Sequence, residues 1–493
     1  LALSVVGGQP ALGKSGSVVL SGNVVRWGQY RNIYGIVAVE SPVLAAGAET
    51  GQGLANRIKD YPTAGSASVL FYCQSPGQPF FNADGKTILP AAKQRLLADM
   101  ETIYRFDMLP ILVLFDPDPS CRLDSAEAYA RAAVTLFNAL NEDYWFLLCV
   151  TDRADAAGWG SGDRGIDAMQ MCKAAAGAVH QRQGNQLVAA GGSSGEINAR
   201  LADSKFPVNV VCGRVAQWSA GKGIPSSKPV IEIIDVAAAK KEMLAQVVDR
   251  IYKHSDYGVG VHLENTRAED RDGARAAFLA DLDAVVDDYQ KKHFPSSQLT
   301  DKDRVPQDAA EAKDGFVSLF NGKDLTGWVQ LTPPKNFTVK DGVIRLDKAS
   351  GGWLRSWDRY GDFVFRGEYK IRKGGNSGFY IRTPPVGRNS RIGFEYQIRG
   401  QEGDAPTSLD STGSLYDARA PDGNSFKQGE WNAVEITCVG EHVKIVLNGH
   451  VIHDIDYDDV DFLKNRTTRG YIGLQDHHDF VEFRNLRIKP LDK

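Results

Sequence analysis

The sequence has no apolar run long enough to cross a bilayer, no excess of one charge and no close-set cysteines, and each absence removes a class of function. A membrane-crossing helix needs about 20 consecutive apolar residues, whereas apolar strings here, such as LPILVLFD at 109–116, are strand-length. No membrane span is expected. The 493 residues carry 57 Lys and Arg against 61 Asp and Glu, a formal net charge of -4, and no basic cluster is interleaved with aromatics. The footprint that grips a phosphate backbone is missing, so nucleic acid is not an expected partner. Cys73, Cys121, Cys149, Cys172, Cys212 and Cys438 are far apart and form no CxxC, which argues against a disulfide framework and against a zinc site. Buried free thiols are expected, and no metal or cofactor is called for. What is present is ordinary for a globular chain: 43% hydrophobic and 24% charged residues. The length exceeds one core, so more than one domain is expected.

The first 30 residues are rich in Gly and Ser, and SVVLSGNVV reads as a lead-in hairpin. The opening LALSVVGG reads as the tail of a secretory leader or the start of a mature chain, which gives an expectation of export to a periplasm or the exterior. From Tyr34 eight short apolar runs follow: 34–40, 68–74, 109–116, 144–152, 186–192, 208–215, 229–236 and 258–265. Runs this uniformly apolar fit parallel strands covered on both faces. Between several of them apolar residues recur at helical spacing, as in Leu96, Leu97, Met100, Ile103 and Tyr104, or Met243, Leu244, Val247, Val248 and Ile251. Asp124 followed by Glu127 looks like a capped helix start. The pattern predicts a (β/α)8 TIM-like barrel over 31–293, with a doubly wound open sheet as the alternative and an irregularity at the short sixth-to-seventh connection. Residues 294–314, polar and proline-punctuated, read as a linker. Beyond them the period falls to two, as in DFVFRGEYKIR, and an all-β sandwich is expected over 315–493.

Within that last third, SLFNGKDLTGW (318–328), GGNSGFYIR (374–382), GFEYQIRG (393–400), TGSLYD (412–417), GEWNAVEI (429–436), VLNG (446–449) and the closing RGYIGLQDHHDFVEFRNLRIKPL (469–491) occur in order. Together they resemble the 3-keto-disaccharide hydrolase domain family, a concanavalin-like jelly roll. The closing stretch reads as a hairpin of two strands joined by the polar elbow QDHHD, and the family most often has Gly where this chain has His478.

Strand periodicity alone places Phe394, Tyr396 and Ile398 on one face, with Glu395, Gln397 and Arg399 on the other. That polar face is either a solvated strand face or a ligand-binding one. Asp476, His477, His478 and Asp479 are a polar turn, an acid-base group or, least in keeping with their adjacency, metal ligands. Trp353, Trp357 and Tyr360 are core residues or sugar-stacking surfaces. The resemblance selects among these readings. It implies that Glu395 is the catalytic base or acid, with His477 as its proton-transfer partner and Asp476 beside it. It further implies that Gln397, Arg399, Asp417 and Gln475 bind substrate, a glycoside oxidised at C3. The 3-keto group would acidify the C2 hydrogen, so that a base removes it, the aglycone leaves by elimination and water adds back.

The barrel offers a competing site, because active sites of such barrels lie at the C-terminal strand ends, which here carry Glu40, Gln74, Asp116, Asp152, Asp235 and Glu264. Asp152 after the fourth run and Asp235 after the seventh are placed for two-carboxylate glycoside hydrolysis, with Glu264 as a further acid. Such carboxylates also cap helices, and the Asn-Glu pair familiar after the fourth strand is replaced by TDR. Two classes of function therefore stand open, with a carbohydrate as partner in both. One is an exported glycoside-cleaving enzyme of the jelly roll. The other is a carbohydrate-binding or assembly protein whose barrel is a glycosidase or a silent scaffold.

Overall fold

The computed structural model describes, short breaks aside, residues 66–214, 271–330, 336–383 and 389–491, together with strands within 18–40, 230–235 and 257–262. The chain divides into two units, Leu1–Tyr289 and Gln290–Lys493.

In the first unit β1 (Val18–Ser21) and β2 (Val24–Trp27) form the hairpin expected of SVVLSGNVV, and β3 (Arg31–Asn32) adds to it. Eight parallel strands follow: β4 (Gly35–Glu40), β5 (Ser66–Tyr72), β6 (Leu109–Val113), β7 (Leu147–Cys149), β8 (Val188–Ala190), β9 (Val210–Arg214), β10 (Val230–Asp235) and β11 (Tyr257–His262). Each comes from one of the eight apolar runs. They pair in chain order, and β11 returns to β4, so the ring is closed. Helices Pro90–Arg105, Ala126–Leu140, Ala168–Arg182, Gly195–Ala202 and Arg271–His293 follow β5, β6, β7, β8 and β11. The connections after β4, β9 and β10 lie mostly outside the described residues; of the spacing at Met243 to Ile251, Leu244 is helical and buried, and the other four residues lie outside them.

The strands are apolar on both faces because both are covered. Leu70, Tyr72, Ile111, Val113, Leu147, Cys149, Ala189 and Cys212 pack with one another inside the ring. Their chain neighbours Val69, Phe71, Leu112, Leu148 and Val188 pack instead against helical residues such as Met100, Ile103, Ala132, Leu136 and Cys172. All six cysteines are buried and none is in a disulfide. The helix expected to start at Asp124 is capped one residue later, where the Ser125 hydroxyl accepts the Ala128 N–H at 3.2 Å.

The second unit is a sandwich of β12 (Val317–Ser318), β13 (Trp328–Gln330), β14 (Phe337–Lys340), β15 (Val343–Leu346), β16 (Gly352–Tyr360), β17 (Phe363–Ile371), β18 (Asn376–Thr383), β19 (Phe394–Arg399), β20 (Asn432–Val439), β21 (His442–Leu447), β22 (His450–Asp456), β23 (Gly470–Asp476) and β24 (Val481–Pro490). One sheet runs β14-β15-β24-β17-β20-β21-β22, with β12 on β24; the other runs β13-β16-β23-β18-β19. The alternation read in DFVFRGEYKIR is observed: Phe363, Phe365, Tyr369 and Ile371 are buried. From β17 and β24, Phe365, Tyr369 and Phe483 meet Phe379 and Tyr396 of the other sheet, with ring centroids 5.3–6.0 Å apart. These rings are the centre of the core.

Two expectations change here. The closing stretch is a crossing between sheets, because β23 and β24 belong to different ones and their apolar faces (Leu474, Phe483) meet through the core. It is therefore no hairpin. The segment 294–314 is in part built onto the sandwich: Leu299 packs with Val329 and Trp357, and Glu311 pairs with Arg366 and Arg487. Its polar composition reflects attachment by charge as well as by an apolar contact.

Candidate active site

The site lies on the face of the five-stranded sheet that turns away from the core. Along one row, Glu395 of β19 pairs with Tyr380 of β18, Tyr380 with Gly473 of β23, and Gly473 with Arg355 of β16. Beside that row, Gln397 pairs with Gly378, and Gln475 with Trp353. The two glycines leave room for the side chains that lie over them. A Cβ on Gly378 would stand 2.5 Å from the Glu395 Oε1, so the carboxylate lies directly over that backbone. A Cβ on Gly473 would stand 2.4 Å from the Trp353 ring, which meets the Tyr380 ring edge to face at 6.0 Å.

The face is sealed rather than wet: Glu395 is 3% exposed, Gln397 1% and Gln475 9%. The Gln475 Nε2 donates to the Tyr380 hydroxyl at 2.8 Å, while its buried Oε1 finds no hydrogen-bond partner among the described residues. An acceptor held there without a donor costs stability unless something else supplies one. Arg355 lies 4.0 Å over the Tyr471 ring and donates to the Gln290 Oε1 at 2.7 Å. Tyr380, Trp353 and Arg355 complete this face, and none was singled out for it from sequence except Trp353. The period-two pattern of β16 and β18 was the signal available for the other two.

The remaining expected residues separate. Gln397 donates to the Asp410 Oδ1 at 2.7 Å and so fastens the following loop, while Arg399, its side chain 40% exposed, lies 3.7 Å from the other oxygen. Asp410 is the partner that strand periodicity did not reveal, because it lies in an irregular loop. Asp417 stands in that same loop at φ 58°, next to Tyr416, whose N–H donates to the Glu395 carbonyl at 2.9 Å. Asp476 accepts from the Asn336 Nδ2 at 2.7 Å and from the His478 N–H at 3.0 Å, which makes it the brace of the elbow. Asp479 is held by Arg372 at 2.7 Å and by the Asn376 N–H at 3.1 Å. His477 and His478 are exposed. His478 has φ 68°, the left-handed conformation that Gly adopts without strain. Trp357 and Tyr360 are buried, Trp357 with Leu299 and Val329 and Tyr360 in the main core, so neither offers a stacking surface. Among the described residues no group of three His, Cys, Asp or Glu is arranged to hold a metal ion.

Of the barrel candidates, Asp152 is buried and accepts the Tyr72 hydroxyl at 2.6 Å. Asp235 closes β10, but its side chain, like the whole of Glu264, lies outside the described residues.

The Trp353 ring lying against Gly473 gives a direct expectation. Gly473→Ala should displace the Trp353 ring and lower any activity or sugar binding of this face by more than about tenfold, with the fold retained. Ligand titration together with tryptophan fluorescence reads both; unchanged binding with a displaced ring would remove Trp353 from the site.

Residues 315–489 match the family model of the 3-keto-alpha-glucoside-1,2-lyase-like domain. A 3-keto-disaccharide hydrolase of Bacteroides thetaiotaomicron is 28% identical over 281 residues, spanning 45% of this chain and 93% of that protein. A solved structure from Parabacteroides distasonis, provisionally described as a glycosyl hydrolase, is 27% identical over 38% of this chain and 100% of its own, with a TM-score of 0.34. A carbohydrate-binding module from Bacillus subtilis is 12% identical over 33% and 94%, with a TM-score of 0.25.

Proposed function

We propose that the second unit, which belongs to the 3-keto-alpha-glucoside-1,2-lyase-like domain family over residues 315–489, cleaves glycosides whose sugar carries a keto group at C3. The observation that carries this reading is the Glu395 carboxylate, nearly enclosed, lying over Gly378 and across the strand pair from Tyr380. A carboxylate withdrawn from water beside a phenol is suited to removing the weakly acidic C2 proton, because little solvent competes for it. Gln475 orients the Tyr380 hydroxyl, and its free Oε1 accepts a substrate hydroxyl. The Trp353 ring supplies an apolar wall for a sugar face. His477, exposed at the elbow, is the group that returns a proton to the leaving oxygen. Water then adds to the unsaturated product.

The N-terminal ring of strands we read as a complete (β/α)8 barrel, and the chain as an exported protein, in keeping with a polysaccharide-derived substrate. The half-buried Trp353 also supports a second reading, in which this face binds sugar without cleaving it. One experiment separates the two: incubate the chain with a 3-keto-disaccharide and with its unmodified counterpart, and follow sugar release. Release from the keto compound alone is expected. Binding of either compound without release would leave the binding module.

A further inference from the structure

We propose that the first unit carries a separate sugar-binding site, at the end of the barrel where β5, β6 and β7 finish, built from Gln74, Asp116, Asp152 and Arg153. It is independent of the reaction assigned to the sandwich. Backbone pairing continues past these three strands, from the Cys73 N–H to the Val113 carbonyl, from Leu114 to Cys149 and from Val150 to Ala189, at 2.8–2.9 Å. The residues that follow therefore emerge together at one end, the C-terminal end of a parallel ring, where loops gather ligand-binding groups. Tyr72, whose ring belongs to the barrel interior, donates to the Asp152 Oδ2 at 2.6 Å and so draws that carboxylate toward the axis. Arg153 places NH1 3.5 Å from the Asp116 Oδ2 and Nε 3.9 Å from the Asp152 Oδ1, over the face of Tyr72.

Two observations distinguish this cluster from helix-capping carboxylates. Asp155, nearby in sequence, is spent in that way: it accepts from Ser193 and Ser194 at the start of the helix Gly195–Ala202. Gln74, by contrast, accepts the Asp116 N–H on its Oε1 at 3.3 Å, which fixes its amide over Asp116, yet its Nε2 has no acceptor among the described residues although the residue is only 2% exposed. A buried donor left open in this way is a place for an acceptor that arrives from outside. Burial also holds the Asp116 carboxyl above its usual range, against the Asp118 N–H and Arg153, which pull it down, and with Asp118 and Asp152 adding to the rise.

The chemistry of the cluster selects the ligand. Two carboxylates against one guanidinium leave excess negative charge, which disfavours an anion. Sugar hydroxyls both donate and accept, and so answer the carboxylates, the guanidinium and the open amide together.

The test is calorimetric titration of the whole chain with maltose, cellobiose and mannobiose, and with inorganic phosphate as the anionic control. Wild type, Asp116→Asn, Gln74→Glu and Glu395→Gln are compared, with melting temperatures measured on each. At least one disaccharide should bind, Asp116→Asn and Gln74→Glu should weaken it about tenfold or more at unchanged melting temperature, and Glu395→Gln should leave it alone. No disaccharide binding at millimolar concentration, binding indifferent to both barrel variants, or binding of phosphate in preference would each overturn the proposal. The fate of the keto-glycoside reaction is read separately, through Glu395→Gln.

Discussion

Replacing Glu395 by Gln should abolish turnover of a 3-keto-glycoside, by about 10²- to 10⁴-fold in kcat, while the domain stays folded. The substitution is isosteric, so the amide still fills the space over Gly378 and the neighbouring Tyr380, Gln475 and Trp353 need not move. What is lost is the lone-pair charge that takes the proton. Because binding is carried by other groups on the face, KM should change much less than kcat. Asp152→Asn, in the barrel, should have a far smaller effect on this reaction. Steady-state kinetics on both variants, with thermal melting as the folding control, checks the assignment. A fully active Glu395→Gln protein would move the chemistry off this face.

The second large effect is on stability, and it comes from His453 on β22. Its ring is fully buried, and its Nε2–H donates to the Gly413 carbonyl at 2.8 Å, which leaves Nδ1 unprotonated and without a partner among the described residues. Protonation would place an N–H and a charge in a site with nothing to accept either. Burial therefore pushes the imidazole down from 6.5 to about 4; the Gly413 bond opposes this and Arg419 adds to it. With the folded value below the unfolded one, the stability is fully present above about pH 6.5 and is lost as pH falls toward 4. At about 1.4 kcal/mol per unit the loss is roughly 3 kcal/mol between pH 7 and pH 4. His453→Gln can keep the bond to Gly413 and has no proton to gain. It should flatten the acid limb by that amount, as measured by hydrogen exchange in the sandwich strands at the two pH values. Equal acid sensitivity in both proteins would assign the loss to other groups.

By itself the sequence determined what depends on neighbours along the chain. Eight doubly apolar runs marked eight strands, and period-two alternation marked the faces of β17 and β19, because which side of a strand a residue occupies follows from its position alone. The motif blocks likewise marked the second unit as a carbohydrate-type domain before any contact was known. Tertiary structure decided what those faces meet. Glu395 looked as though it could belong to a wet strand face, but the strands and loops around it bury it. Gln397 looked free to bind substrate until Asp410 was found to accept its amide N–H. Asp476 turned out to brace the elbow through Asn336, 140 positions earlier, and the elbow itself crosses between sheets. Each of these outcomes rests on contacts between residues distant in the chain. Such contacts obey no local period; they exist only once the two sheets have closed on a shared core, and no inspection of the strands one at a time contains them.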